Sequence, residues 1–563
     1  MLVFLCRSSW LTIVGVLLAG IISGLSSAAL VALINSTLSN TLDAKLLPWL
    51  FGGLSIAVLF SGFLSHYLLN RLSAKIVCNL RIHISRLILA APYPFLQKLG
   101  KSALLANLTE DISAIANASQ LLPVVCINFA IVTGCMAYLS WLSWQLALVL
   151  AGVIAFGVLS FSLFSQLPKK SVFKAREEYD VLSRGFRALT EGVRELKLHR
   201  QRSDAFMAQS LAASAEDYRR HSFRGDVAYL LVNQWAQLLY FLVIGAILYV
   251  FPVWQAIDRE VIGGYALVFL FMMSPLSILT TSLPVFGRAK VSLQKVRQLG
   301  DQLKKQAVPV NVPDISEVCA TFSGLSLQGV THSFHREKEN RNFTLGPVDL
   351  DFKPGELVFL IGGNGSGKTT LAMLLIGLYT PEQGVIRWNG EAVDNGNKDD
   401  YLQNFSVIFS DFYLFDELYG FDNEENHALI ADYLQRLHLH HKVRVENGRF
   451  SSVNLSQGQR KRLALLVAYL EDRPFYVFDE WAADQDPEFK HLFYTELLPA
   501  LKARGKTVLI ISHDDRYFYL ADRCIKLEEG QIVGMEKPAT VGKQVQPNED
   551  AVHVSVKGIL RNR

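Results

Sequence analysis

Through the first half of the chain, long uncharged apolar runs alternate with strongly polar stretches, and the alternation stops near residue 290. A helix needs about 20 predominantly apolar residues to cross the ~30 Å hydrocarbon core of a bilayer. Residues 11–34 and 46–69 each meet that requirement without a charged side chain. Residues 112–168 contain no charge at all, which leaves room for two crossings with a tight reversal at Leu142 and Ser143. Two further runs, 227–251 and 261–287, complete the set. The pattern predicts six spans, at about 11–34, 46–69, 118–141, 144–167, 227–251 and 261–287, and an even number puts both termini on one side.

The basic residues say which side. Arg71, Lys75, Arg81, Arg86, Lys98 and Lys101 lie between the second and third spans, and a longer series from Lys169 to Arg224 lies between the fourth and fifth. The opposite loops carry only Lys45 and Arg259. Because Lys and Arg are retained on the cytoplasmic side, the two long connections and both termini are expected there. Trp49, Trp141 and Trp144 suit an outer interfacial belt. Apolar residues recur at helical spacing within the long connections, at Ile82, Leu87 and Ile88 and again at Val193, Leu196 and Leu198. Both connections therefore read as helices that continue out of the membrane and turn back.

Past the spans the texture changes. Residues 301–317, with Lys304, Lys305, Pro309 and Pro313, read as a polar linker between a transmembrane domain at 1–300 and a soluble domain at 318–540. Residues 541–563 read as a flexible tail. Composition agrees with a membrane chain: 50% is apolar and 19% charged, against about 25% charged in soluble domains. A net charge of +4 without a long basic tract argues against a nucleic-acid partner. Cys6, Cys78, Cys126, Cys135, Cys319 and Cys524 show no metal-ligand spacing. The first apolar run is too long for a signal peptide and reads as the first span.

The soluble domain carries chemistry. Val358-Phe359-Leu360-Ile361 is a β-type run, followed by Gly362, Gly363, Asn364, Gly365, Ser366, Gly367, Lys368 and Thr369, and then by a helical stretch from Thr370. This is the GxxxxGK[ST] phosphate loop in its strand–loop–helix setting. Its glycines let backbone N–H groups approach phosphate oxygens, and the helix N-terminus adds partial positive charge. Lys368 is placed to reach the β and γ phosphates of ATP, and Thr369 to hold Mg²⁺. A second apolar run, Phe475-Tyr476-Val477-Phe478, ends in Asp479 and Glu480. Asp479 is the candidate second Mg²⁺ ligand and Glu480 the candidate base for the attacking water.

With these motifs in order, the chain resembles the ABC ATPases. Leu455-Ser456-Gln457-Gly458-Gln459 is similar to their signature motif, with Gln457 where Gly is usual. Thr507-Val508-Leu509-Ile510-Ile511-Ser512-His513 is similar to the strand that ends in their switch histidine. Asp486 matches the D-loop aspartate, and Phe334, near His332, matches the aromatic that stacks on adenine. The resemblance implies an α/β P-loop nucleotide-binding domain joined to an all-α six-helix exporter domain. It also implies a homodimer in which ATP is held between Lys368 of one protomer and Ser456, Gln457, Gly458 and Gln459 of the other, and short coupling helices near 94–99 and 190–198. Two departures stand out. Ser410, followed by Asp411, occupies the Q-loop glutamine position, and the loop after Glu480 reads WAADQDP rather than PTSALDP.

The strings GGNGSGK (362–368), DEWAADQDP (479–487) and SHDD (512–515) are similar to those of bacterial cyclic-peptide exporters. That resemblance implies a multi-pass protein of the bacterial inner membrane, in contact with membrane lipid. Its cargo would be a peptide-like metabolite, a cyclic lipopeptide or a siderophore precursor, passed on to periplasmic or outer-membrane export components. Asn233, Gln234 and Gln237 are candidate cavity-facing groups in the fifth span, as are His66 and Asn128 elsewhere. The same motifs also fit an exporter of lipids or drugs, an ATP-gated channel or sensor on this fold, or, with no docking segment visible, an importer.

Overall fold

The computed structural model describes residues 10–38, 46–164, 167–250, 259–306, 322–336 and 341–537, with a few side chains excepted. The chain forms two compact units, Met1–Leu89 with Lys101–Lys304, and Ala90–Gly100 with Lys305–Arg563.

The first unit is helical, and among its described residues six helices are long and apolar enough to cross a membrane. They are α1 (Trp10–Leu38), α2 (Leu47–Ala90), α4 (Lys101–Leu142), α5 (Trp144–Phe164), α8 (Arg200–Val250) and α9 (Arg259–Gln306). The 44 residues of α2 are about 66 Å of helix at 1.5 Å per residue, roughly twice the ~30 Å a bilayer core requires. The surplus is the basic portion, which runs straight on past the apolar one. Between the long helices lie α3 (Tyr93–Leu99), α6 (Leu167–Glu191) and α7 (Val193–Leu198). The helix α9 continues through residues 301–306, which the composition assigns to the linker. Nothing there breaks a helix, and the first proline after the span, Pro309, comes later in the sequence.

Small residues let the helices approach. A Cβ on Gly24 would lie 2.4 Å from the Ala130 Cβ, and one on Gly134 would lie 2.9 Å from the Ala28 Cβ. Gly24 and Ala28 on α1 thus face Ala130 and Gly134 on α4, four residues apart on each side. This is the small-residue spacing that replaces hydrophobic driving force in a membrane. Polar contacts reinforce the packing. The Tyr265 hydroxyl shares its proton between the carbonyls of Leu139 (2.7 Å) and Ser143 (2.6 Å), bracing the turn between α4 and α5. Toward the far end of α4, the Ser292 hydroxyl donates to the buried Asp111 carboxylate at 2.7 Å. Trp49, Trp141 and Trp144 are all exposed, as belt residues require.

The second unit is an α/β domain. Five parallel strands, β11 (Arg523–Glu528), β3 (Leu357–Ile361), β10 (Thr507–Ile511), β9 (Phe475–Asp479) and β6 (Phe405–Ile408), pair in that order, and β12 (Gln531–Glu536) joins antiparallel at one edge. Strands β9 and β10 are buried along their whole length, which explains their unbroken apolar sequences. Helices α10 (Lys368–Leu375) and α13 (Gln457–Glu471) pack on the sheet with buried Leu371, Leu374, Leu463 and Leu466. A smaller sheet, led by β1 (Leu325–Arg336) and β2 (Arg341–Phe352), adds the N-terminal edge. Residues 90–100 belong to the membrane half by sequence but pack in this unit. Tyr93 of α3 stacks on Tyr379 at 6.3 Å, and the Tyr379 hydroxyl donates to Gln97 Oε1 at 2.8 Å.

Candidate nucleotide site

Strands β3, β9 and β10 end side by side, and the functional side chains leave from those C-terminal ends, where open α/β sheets bind ligands. After β3 the backbone turns through Gly362–Gly367 into α10. A Cβ at Gly362 would meet the Leu527 carbonyl oxygen at 2.1 Å, so only glycine fits. Gly367, at φ +103°, sits against the Phe343 ring and turns the chain into the helix. Lys368 curls back over the loop, and its Nζ donates to the carbonyls of Gly362 (3.0 Å) and Gly363 (2.9 Å). Burial lowers the Lys368 pKa, and the Glu480 and Asp479 charges oppose that shift.

Thr369 Oγ1 donates to Asp479 Oδ2 at 2.9 Å, which joins the two metal candidates across 110 positions of sequence. Asp479 is 1% exposed, and burial is the main cause that raises its carboxyl above the usual range. Asp411 adds to that rise, whereas Ser410 is an exposed turn residue after β6. Glu480 adopts a left-handed backbone at φ +51°, and its Oε1 lies 3.2 Å from His513 Nε2. The residues fit a phosphate group and its cation on three counts. Gly362 and Gly367 leave no room for side chains, the buried Ser366 hydroxyl has no hydrogen-bond partner within the described structure, and Thr369 and Asp479 supply oxygen donors side by side.

The signature residues stand elsewhere on the domain. Ser456 caps α13, its hydroxyl accepting from Gln459 N, and the Gln459 side chain accepts from Ser456 N in return. Gln457 Nε2 donates to Asp484 Oδ2 at 3.1 Å, and the Gly458 carbonyl accepts from Gln485 Nε2 at 3.0 Å. Asp486 caps the following helix, α14 (Pro487–Leu492), by accepting from Phe489 N at 2.8 Å. Phe334 lies in β1 opposite Phe343, and its side chain is outside the described residues. Its neighbour His332 stacks on Tyr379 at 5.0 Å, so Tyr379 joins this strand to α3, a link that no motif announces. Among the span candidates, Gln234 and Gln237 are exposed on α8, His66 is half-buried, and the Asn233 side chain is outside the described residues. Asn128 is buried, and its amide donates to Val124 O on its own helix at 2.6 Å.

A six-helix membrane unit joined to a domain with this nucleotide site defines an ATP-hydrolysing membrane transporter. Residues 345–483 match the family model described as ABC transporter, and residues 9–281 match that of the ABC transporter transmembrane region. The chain belongs to the ABC transporter family, as an exporter with fused membrane and ATP-binding domains. It is 36% identical to the ATP-binding protein SyrD of Pseudomonas syringae pv. syringae over 95% of this chain and 96% of that one. It is 25% identical to the ATP-dependent lipid A-core flippase of Pasteurella multocida, covering 92% of this chain and 90% of the flippase. With the flippase of Ralstonia nicotianae the identity is 26%, over 86% and 83%.

Proposed function

We propose that a homodimer of this chain exports a peptide-like secondary metabolite, a cyclic lipopeptide or a siderophore precursor, across the bacterial inner membrane with its termini and ATPase domains in the cytoplasm. The observation that carries the cargo reading is the agreement of GGNGSGK, DEWAADQDP and SHDD with the cyclic-peptide exporter pattern. The 36% identity to SyrD along nearly the full length, well above the 25–26% to the lipid A-core flippases, supports a subgroup apart from those flippases. The centres of the spans carry no charge, which suits a cargo recognised by hydrogen bonds and apolar contact. Gln234 and Gln237, with Asn233, are the amides proposed to meet peptide carbonyls.

In the ATPase domain, Lys368 holds the terminal phosphates, and the loop N–H groups and the Ser366 hydroxyl share their charge. Thr369 and Asp479 would hold Mg²⁺, which when bound offsets charge on the phosphates. Glu480 accepts the proton of the attacking water, and His513, beside it, orients that water and the terminal phosphate. The partner protomer would close the site with its signature residues. Deleting the gene in its host and measuring secreted and retained metabolites by mass spectrometry tests the cargo. A peptide-like compound that disappears from the medium and accumulates inside is the expected result. An unchanged peptide profile with altered envelope lipids would point instead to a flippase, the reading that the flippase relatives favour.

A further inference from the structure

Two of the stretches in which this chain departs from the common ATPase pattern, the signature at Gln457 and the loop after Glu480, meet each other. In the loop WAADQDP (481–487), the side chains of Trp481, Asp484, Gln485 and Asp486 each bond the start of α13, Asp486 by accepting from Arg462. The Trp481 indole donates to the Lys461 carbonyl at 2.9 Å. Asp484 Oδ2 receives both Gln457 Nε2, at 3.1 Å, and Lys461 Nζ, at 2.7 Å. Gln485 donates to the Gly458 carbonyl at 3.0 Å and accepts from Arg462 Nε at 2.9 Å. The departure within the signature, Gln457, is itself one of the groups that Asp484 holds.

Lys461 is the centre of this seam. It is 2% exposed, and a buried ammonium is costly unless it is paired and hydrogen-bonded. Its Nζ has two partners, the Asp484 carboxylate and the main-chain carbonyl of Glu480, the latter at 2.9 Å. Glu480 is the residue in the left-handed conformation whose carboxylate lies beside His513. That backbone is strained for a non-glycine residue and persists where its surroundings hold it. The Glu480 N–H is tied to the Ile511 carbonyl at 3.0 Å, and its C=O to Lys461.

The geometry points to Asp484 as a positioning residue for ATP hydrolysis. It locks Gln457 and Lys461 so that the first turn of the signature helix and the turn bearing Glu480 form one piece. A protomer's grip on its partner's nucleotide is thereby set by the same contacts that aim its own base. This rests on the role proposed for Glu480, whose failure would show independently as undiminished turnover in Glu480→Gln.

The test uses full-length protein in nanodiscs. Asp484→Ala removes the shared acceptor and should lower kcat about tenfold, in the range expected when a reacting group is slightly misplaced. Nucleotide affinity at the Lys368 loop, read with a fluorescent ATP analogue, should stay within about twofold. Because one oxygen of Asp484 receives both donors, Asp484→Asn preserves the geometry and should keep kcat within about threefold of the parent. Gln457→Ala and Asp484→Ala combined should lose less than the product of their separate losses, since the bond between the two side chains can be lost only once. An Asp484→Ala protein at parental kcat, an Asn variant as slow as the Ala variant, or multiplicative losses in the double variant would overturn the proposal.

Discussion

In the membrane unit many large apolar side chains are outside, whereas those of the central sheet in the ATPase unit are inside. Leu59, Phe60 and Phe63 of α2 are about 70% exposed, while Val358, Phe359 and Phe478 in the sheet are fully buried. Since lipid is as apolar as leucine, helices in the first unit gain nothing by hiding such residues from it. They pack through Gly24, Ala28, Ala130 and Gly134 and through hydrogen bonds such as Ser292 to Asp111. In the second unit water enforces the burial, and the charged residues that do go inside, Lys368, Lys461 and Asp479, have assigned partners. Specificity therefore resides in close approach in one half and in paired charge in the other.

The largest effect should come from the charged side of that comparison. Glu480→Gln should keep binding ATP, trap a closed dimer and turn over at least about a hundredfold slower, a typical loss for a catalytic acid–base group. Turnover near that of the parent would remove Glu480 from the role of base. His513→Ala, which removes the group 3.2 Å from Glu480 Oε1, should lower kcat by about tenfold or more while Glu480 remains.

The packing side predicts a smaller change of another kind. Gly24→Val places a side chain where even a Cβ falls 2.4 Å from Ala130. Overpacking of this sort costs about 1–3 kcal/mol, so the thermal midpoint of the detergent-solubilised protein should fall while its ATP binding at the Lys368 loop should not. An unchanged midpoint would mean that α1 and α4 do not approach this closely.

Acid should expose the buried carboxylate. Burial raises the Asp479 pKa, so as the pH falls a proton displaces the cation from Asp479 earlier than it would from an exposed aspartate. Mg²⁺-dependent nucleotide retention should weaken at a pH above the ordinary aspartate range, and Asp479→Asn should abolish that dependence. The smallest effect concerns Gln97. Gln97→Ala removes the acceptor of the Tyr379 hydroxyl; it should leave basal ATPase within about twofold while reducing stimulation by cargo, since a surface hydrogen bond contributes only about 1 kcal/mol. Full stimulation would remove α3 from the coupling path.

What could be read in the sequence follows the same division. The six crossings were legible because a bilayer demands long uncharged runs, and nothing else in the chain has them. The phosphate loop was legible because Gly362 to Thr369 act as neighbours in sequence. The link from Asp479 to Thr369 could be expected only because both belong to a known order of motifs. The seam between Gln457, Lys461 and Asp484 was not legible: each residue looks like a local departure, and the contacts join stretches about 25 residues apart. Tyr379 was missed for the same reason, since it acts through α3 and His332 rather than through its neighbours. The bond of Asn128 to its own helix was not legible either, since a polar residue in a span does not announce where it spends its amide.

The central claim is that ATP clamped between two soluble domains drives the lipid-embedded helices. Pulsed spin-label distances between paired Glu391→Cys sites, measured in nanodiscs on a Cys78→Ser background carrying Glu480→Gln, test it most directly. The account predicts a long distance without nucleotide that shortens and narrows on adding Mg·ATP, and Lys368→Ala should abolish the change. A distance distribution indifferent to Mg·ATP, or the absence of any paired signal, would contradict it.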